Sequence, residues 1–258
     1  MDSHKTSHEP ALNRLVTTRR AAIFAGGATA AALLAACGNS GSKEGGKASD
    51  SGGSDATPAL PEPTQSAAVS VPFDESKPYL EFNPDSKGPA VELLVDYRCP
   101  HCKLFAEAQD KDIRELVEKG YINYRVYPRP MLDKVTGLNF SNDTASAVVA
   151  SWAEDPKLFW DMNDAMFALQ PESPEDPTPD TAEVAEAAVK AGASEEVKNA
   201  VLDEKYRDYV ATVEEVGQER QVGTPTVYID GEEWMGDGEK PGTLKADLVK
   251  AIIAKAKK

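Results

Sequence analysis

Residues Ala90 to Gly120 hold the arrangement that most limits how this chain can fold: an apolar strand, the turn Cys99-Pro100-His101-Cys102, and an amphipathic helix. Ala90-Val91-Glu92-Leu93-Leu94-Val95-Asp96-Tyr97 is apolar enough to lie largely inside a sheet. After the turn, Leu104, Phe105, Ala108, Ile113, Leu116 and Val117 recur at helical spacing, and Gly120 marks a stop. The cysteines therefore fall where the strand hands over to the first helical turn. Unpaired N–H groups and the positive end of the helix dipole favour an anion there, and the nucleophilic form of cysteine is an anion. With two residues between them, the sulfurs can close a small disulfide and reopen it.

Other uses of a C-x-x-C fit less well. A closed zinc site needs four ligands, yet there is no second C-x-x-C, and the remaining histidines, His4 and His8, lie at the far N-terminus. A purely structural disulfide across so short a loop would constrain the unfolded chain little. The pattern favours a redox-active pair with no metal.

Charge narrows the partners. With 28 basic and 43 acidic residues the net charge is -15, which makes nucleic acid and an anionic membrane surface poor electrostatic partners. No apolar run has the length and continuity of a spanning helix.

Residues 1–36 read as a signal peptide: Arg14, Arg19 and Arg20 precede a mild Ala/Gly/Leu stretch, Ala21 to Ala36. Leu33-Leu34-Ala35-Ala36-Cys37 resembles the lipobox of bacterial lipoprotein signals, which implies cleavage before Cys37 and acylation of its thiol. Thr18-Arg19-Arg20-Ala21-Ala22-Ile23-Phe24 resembles a twin-arginine export signal, although Ala22 stands where a bulky apolar residue is usual; the Sec route stays open. Residues 37–70, rich in Gly, Ser, Lys, Asp and Pro, cannot bury enough apolar surface to fold and are expected to form a lipidated, disordered tether. Such a tether spans on the order of 30 Å.

The folded domain is expected over residues 71–258. Tyr121 to Tyr127 alternates as a strand, ended by Pro128 and Pro130. Helical spacing follows over Ala145–Ala153, Leu158–Leu169, Ala182–Ala191 and Val197–Val216, with Asp180 and Ser194 placed to cap. Phe140, Trp152, Phe159, Trp160 and Phe167 fit the core of these helices. The Pro-rich acidic loop from Pro171 to Pro179 reads as solvated connection without function. A strand at Thr226–Ile229, a turn at Asp230-Gly231, a partner strand from Glu232 to Met235 and a helix from Thr243 to Ala256 complete the chain.

This order, with Asp96-Tyr97-Arg98-Cys99-Pro100-His101-Cys102 early and Val222-Gly223-Thr224-Pro225-Thr226 late, resembles the DsbA-like family of exported thiol oxidoreductases. The resemblance covers about residues 72 to 258. It implies an α/β, thioredoxin-like fold with an inserted helical subdomain at about 138–218. It further implies that Cys99 attacks from an exposed position at the helix start and that Cys102, one turn in and more buried, resolves the mixed disulfide. His101, following Pro100, would stabilise the Cys99 thiolate by charge or hydrogen bonding, unless it is merely a tolerated exposed residue. Thr224-Pro225 matches the family's cis-proline, whose loop faces the redox pair, binds extended substrate peptides and disfavours a metal there. Asp96 lies near where the fold often carries a buried acid for proton transfer, though a strand-end carboxylate is commonly just solvated.

The function so implied is a membrane-tethered, extracytoplasmic disulfide oxidase without cofactor, lipid-anchored through Cys37. Its partners would be exported proteins with free cysteines and a membrane reoxidant. If the Cys99 pKa fell to roughly 4, the reduced form would gain about 4 kcal/mol at neutral pH, raising the potential by about 90 mV. A reductase or isomerase, a peptide-binding lipoprotein with incidental cysteines, and a metal chaperone are the alternatives.

Overall fold

The central strand is the apolar one. In the computed structural model, which describes residues 68–173, 175–236 and 248–256, β1 (Leu80–Phe82), β2 (Ala90–Val95), β3 (Asn123–Pro128), β4 (Thr226–Ile229) and β5 (Glu232–Glu233) form one sheet. Their order is β1-β3-β2-β4-β5. β2 pairs parallel with β3 and antiparallel with β4, so both its edges are covered, and Val91, Leu93, Leu94 and Val95 are buried. The one charge in that strand, Glu92, is met by Arg220 Nη1 at 2.8 Å. The Arg220 guanidinium lies over the rings of Tyr127 and Tyr228.

Parallel pairing of β2 and β3 needs a crossover, and α1 (Pro100–Glu118) supplies it. Phe105, Ile113, Leu116 and Val117 turn inward as their spacing requires. Leu104 and Ala108 do not: both are exposed, Leu104 by 44%. Gly120 ends the helix with φ 70°, giving its N–H to Val117 O while Tyr121 N–H reaches Leu116 O. That paired closure needs the left-handed backbone glycine adopts at least cost.

Between β3 and β4 stand α2 (Asp133–Thr136), α3 (Phe140–Glu154), α4 (Phe159–Ala168), α5 (Thr181–Lys190), α6 (Glu195–Leu202) and α7 (Arg207–Glu219). α3 is buried all round from Phe140 to Trp152, which marks it as the axis of the insertion. Asp180 forms a capping box with Glu183, and Ser194 accepts from the N–H groups of Glu196 and Val197. The aromatic residues expected in the core are there. Phe82 on β1 meets Trp152 and Phe159 edge-on at 4.7 and 5.4 Å and stacks with Trp160 at 6.1 Å, so the insertion docks on the sheet through this cluster.

Three expectations change. The single helix over Val197–Val216 is two, α6 and α7. The break is a left-handed residue, Glu204 at φ 55°, with Lys205 N–H bonded to Ala200 O. No glycine or proline announces it. The partner strand shrinks to Glu232–Glu233, extended by one bond from Trp234 N–H to Val227 O. β1 is an addition, paired antiparallel to β3 through Leu80↔Val126 and Phe82↔Tyr124. The last helix, α8, is seen over Leu248–Ala256; the expected start at Thr243 lies outside the described residues, as do the signal peptide, Cys37 and the tether up to residue 67.

Candidate active site

Cys99 is the N-cap of α1, with extended backbone at φ -72° and ψ 117°, and Pro100 occupies the first helical position. Proline suits that position because its missing N–H would have had no partner. Cys99 O accepts the N–H groups of Cys102 and Lys103, but no side chain caps the helix. The donors that a serine or aspartate would usually satisfy are left facing a sulfur.

Both cysteines are free thiols. Contrary to the expected exposure, Cys99 is 5% accessible, and Cys102 beneath it is 0%. Across the turn, the Cys99 thiol donates to Thr224 O at 3.3 Å, which joins the two sequence motifs in one site. Thr224-Pro225 is cis. Thr224 Oγ1 is buried and finds no hydrogen-bond partner, which leaves its hydroxyl as a donor that favours the anionic form of Cys99.

The two thiols are driven apart electrostatically. The hydrogen bond from the Cys102 thiol holds the Cys99 pKa at about 5 against the opposing effect of burial, assisted by the Cys102 backbone N–H, the Thr224 side chain and the His101 backbone N–H. Burial, and the neighbouring Cys99, push Cys102 well above the ordinary thiol value. His101 thus acts on Cys99 through its backbone; its side chain is exposed, as is Pro100. Asp96 N–H reaches Cys102 Sγ at 3.5 Å.

The Asp96 carboxylate is occupied elsewhere. It accepts Arg98 N–H at 2.8 Å and Leu132 N–H at 2.8 Å, is fully buried, and bonds neither sulfur. It braces the redox turn against the loop after β3. Burial raises its pKa to about 7 in spite of these donors. The folded state therefore loses stability as pH rises from about 4 to 7, where the unfolded carboxylate ionises first. Asp96→Asn, neutral throughout, is expected to gain on the wild type over that interval and to level off above it. Urea denaturation of both proteins at pH 4.5 and 7.5 measures the change.

The insertion forms the other wall. Gln170 Nε2 donates to Tyr97 O at 2.8 Å, Tyr97 Oη to Asn163 Oδ1 at 3.2 Å, and Arg98 Nη1 to Thr178 Oγ1 at 3.0 Å. Arg98, Pro100, Leu132, Gln170 and Pro171 line a cleft of about 240 Å³. The Pro-rich loop, read from sequence as a free connection, is tied to the redox turn. Its composition is that of a solvated loop, and only the tertiary bond from Arg98 shows otherwise.

A mixed sheet of this order, a dithiol at the start of a helix, and a helical insertion before the loop that faces it define a DsbA-like thioredoxin fold. A family model described as Thioredoxin matches residues 85–250, and the chain belongs to the thioredoxin family. Disulfide bond formation protein D of Bacillus subtilis (strain 168) is 27% identical over 137 residues, covering 52% of this chain and 60% of that protein. Among solved structures, MdbA, a thiol-disulfide oxidoreductase from Corynebacterium matruchotii, superposes with a TM-score of 0.57 at 22% identity, over 70% of this chain and 93% of that one. BdbD from Bacillus subtilis does so with a TM-score of 0.58 at 21% identity, over 75% and 100%. These structures share the fold.

Proposed function

We propose that the protein is a disulfide oxidase acting on exported proteins at the extracytoplasmic face of a membrane. The observation that carries this reading is the placement of Cys99 at the N-cap of α1, against Thr224 O of the cis-Pro225 loop and above a buried Cys102, where the Cys99 pKa falls to about 5 and that of Cys102 rises. In the oxidised protein, a substrate thiolate attacks Cys99 Sγ. The Cys99–Cys102 bond breaks, Cys102 leaves with the electron pair and takes up a proton, and a mixed disulfide joins substrate to Cys99. A second substrate thiolate then attacks the substrate sulfur, and Cys99 departs as a stable thiolate. The substrate has lost two electrons and the protein holds a dithiol. A membrane partner that accepts the two electrons restores the disulfide.

The thiolate sets the direction. A Cys99 pKa of about 5, against an ordinary thiol near 8.5, favours the reduced form at pH 7 by about 3 kcal/mol, which residual solvent screening cuts to about 2 kcal/mol, or about 45 mV. This is smaller than the sequence-based figure, and its sign is the same. Equilibration of the purified protein with glutathione buffers is expected to find the pair more oxidising than the cytosolic glutathione poise of about -240 mV. A value below about -270 mV would move the assignment to a reductase. No titration at all would leave a peptide-binding lipoprotein. Membrane attachment rests on the lipobox-like Leu33–Cys37 and an acylated Cys37; among the described residues no helix is long and apolar enough to cross a membrane.

A further inference from the structure

Arg129 is 1% exposed, an uncommon place for a guanidinium unless it is paired and fully bonded. It follows β3 directly, and its backbone N–H closes on Val95 O at 2.7 Å, next to Asp96. Its Nε meets Glu214 Oε2 at 2.9 Å. Its Nη1 donates to two consecutive carbonyls, Val222 O at 2.9 Å and Gly223 O at 3.2 Å. Those carbonyls immediately precede Thr224, whose own carbonyl accepts the Cys99 thiol.

Helix α7 is built around this guanidinium. Glu214 and Gly217 lie one turn apart on it, and a Cβ at Gly217 would fall 1.8 Å from Arg129 Cζ and 2.2 Å from both Nη atoms. Only glycine leaves room. Past the helix, Gln221 takes a left-handed conformation at φ 57°, and the chain turns so that Val222 and Gly223 point their carbonyls at the arginine. Thr226 Oγ1 adds a second donor to Gly223 O at 3.0 Å.

A buried ion pair contributes little stability beyond what a packed apolar pair would give. An apolar pair cannot, however, offer a planar group with N–H donors to an acid and to two loop carbonyls at once. We infer that Arg129 is a positioning residue: its guanidinium, fixed by Glu214 and given room by Gly217, holds the Val222–Pro225 loop so that Thr224 stays against Cys99.

This inference rests on the thiol-exchange reading, and one measurement separates the two. The pH dependence of iodoacetamide alkylation at Cys99 is followed by mass in the reduced wild type, Arg129→Met and Arg129→Lys, with thermal melts as the control for folding. Arg129→Met is expected to melt cooperatively, and its alkylation midpoint to rise by about one unit as the Thr224 side chain, the group of that loop that favours the Cys99 thiolate, moves away, so that alkylation at pH 4 slows about tenfold. Lysine, a point charge without the fork, restores only part of the shift. A wild-type midpoint near 5 that Arg129→Met leaves in place overturns the positioning role alone. A wild-type midpoint near the ordinary thiol value overturns the functional reading and this inference with it. Should Arg129→Met fail to fold, Gly217→Ala displaces the guanidinium with Arg129 and Glu214 both retained. The same upward shift is expected there, and an unmoved midpoint overturns the role.

Discussion

Cys99→Ser is expected to lose protein-thiol oxidation by on the order of 10³-fold or more, because in the proposed exchange the substrate bond forms at that sulfur and a serine oxygen forms no disulfide. Cys102→Ser should behave differently. It also loses the internal disulfide, but its serine hydroxyl still offers Cys99 a donor in place of the Cys102 thiol; Cys99 can attack a client disulfide and displace one client thiolate, and the buried thiol that would release the bound partner is gone. Expressed in cells, it should accumulate mixed disulfides with client proteins, visible on non-reducing gels and collapsed by reductant, while Cys99→Ser accumulates none. Trapping by Cys99→Ser and none by Cys102→Ser would reverse the roles assigned to the sulfurs, and equal trapping would contradict them.

The thiolate also ties folding to redox state. Because the folded Cys99 pKa lies at about 5 against about 8.5 for an ordinary thiol, the reduced fold is stabilised as pH rises through 5, and the full effect is reached above about 8.5. The effect vanishes as pH falls below 5. At pH 7.5, allowing for residual solvent screening of the sulfur, the contribution is about 2 kcal/mol. For a domain of this size that corresponds to about 5 °C in Tm. The Tm difference between reduced wild type and reduced Cys99→Ser should widen by that amount from pH 4.5 to pH 7.5. Asp96 is present in both proteins, so its opposite trend cancels. A difference that stays constant over the interval would contradict the low thiolate pKa.

Much of this architecture is legible in the chain itself. The run Val91–Val95, the C-x-x-C behind it and the helix stop at Gly120 locate the redox turn, because strand burial, cap geometry and left-handed glycine each leave a local signature. The caps Asp180 and Ser194 are equally local. What sequence does not show is tertiary. β1 is only Leu80–Phe82, too short for any period to register, yet Phe82 is where the insertion docks. Glu204 breaks a helix in a conformation that composition assigns to glycine. Asp96 reads as a strand-end carboxylate that is commonly solvated, whereas it is fully buried and its oxygens serve the amides of Arg98 and Leu132. Arg129 lies between Pro128 and Pro130 as an unremarkable strand-end cation, and its role depends on carbonyls far along the chain.

The long insertion between β3 and β4 has a consequence in time. Cys99 and the carbonyl that contacts it are 125 residues apart, and β2 lacks its second neighbour until β4 has been made. As synthesis proceeds, both cysteines are present long before the loop that completes their surroundings. A chain halted anywhere before Thr224 carries the dithiol without its facing carbonyl. Formation of the site therefore waits on the closure of the most sequence-distant strand pair, a slow class of contact, and so coincides with completion of the sheet itself.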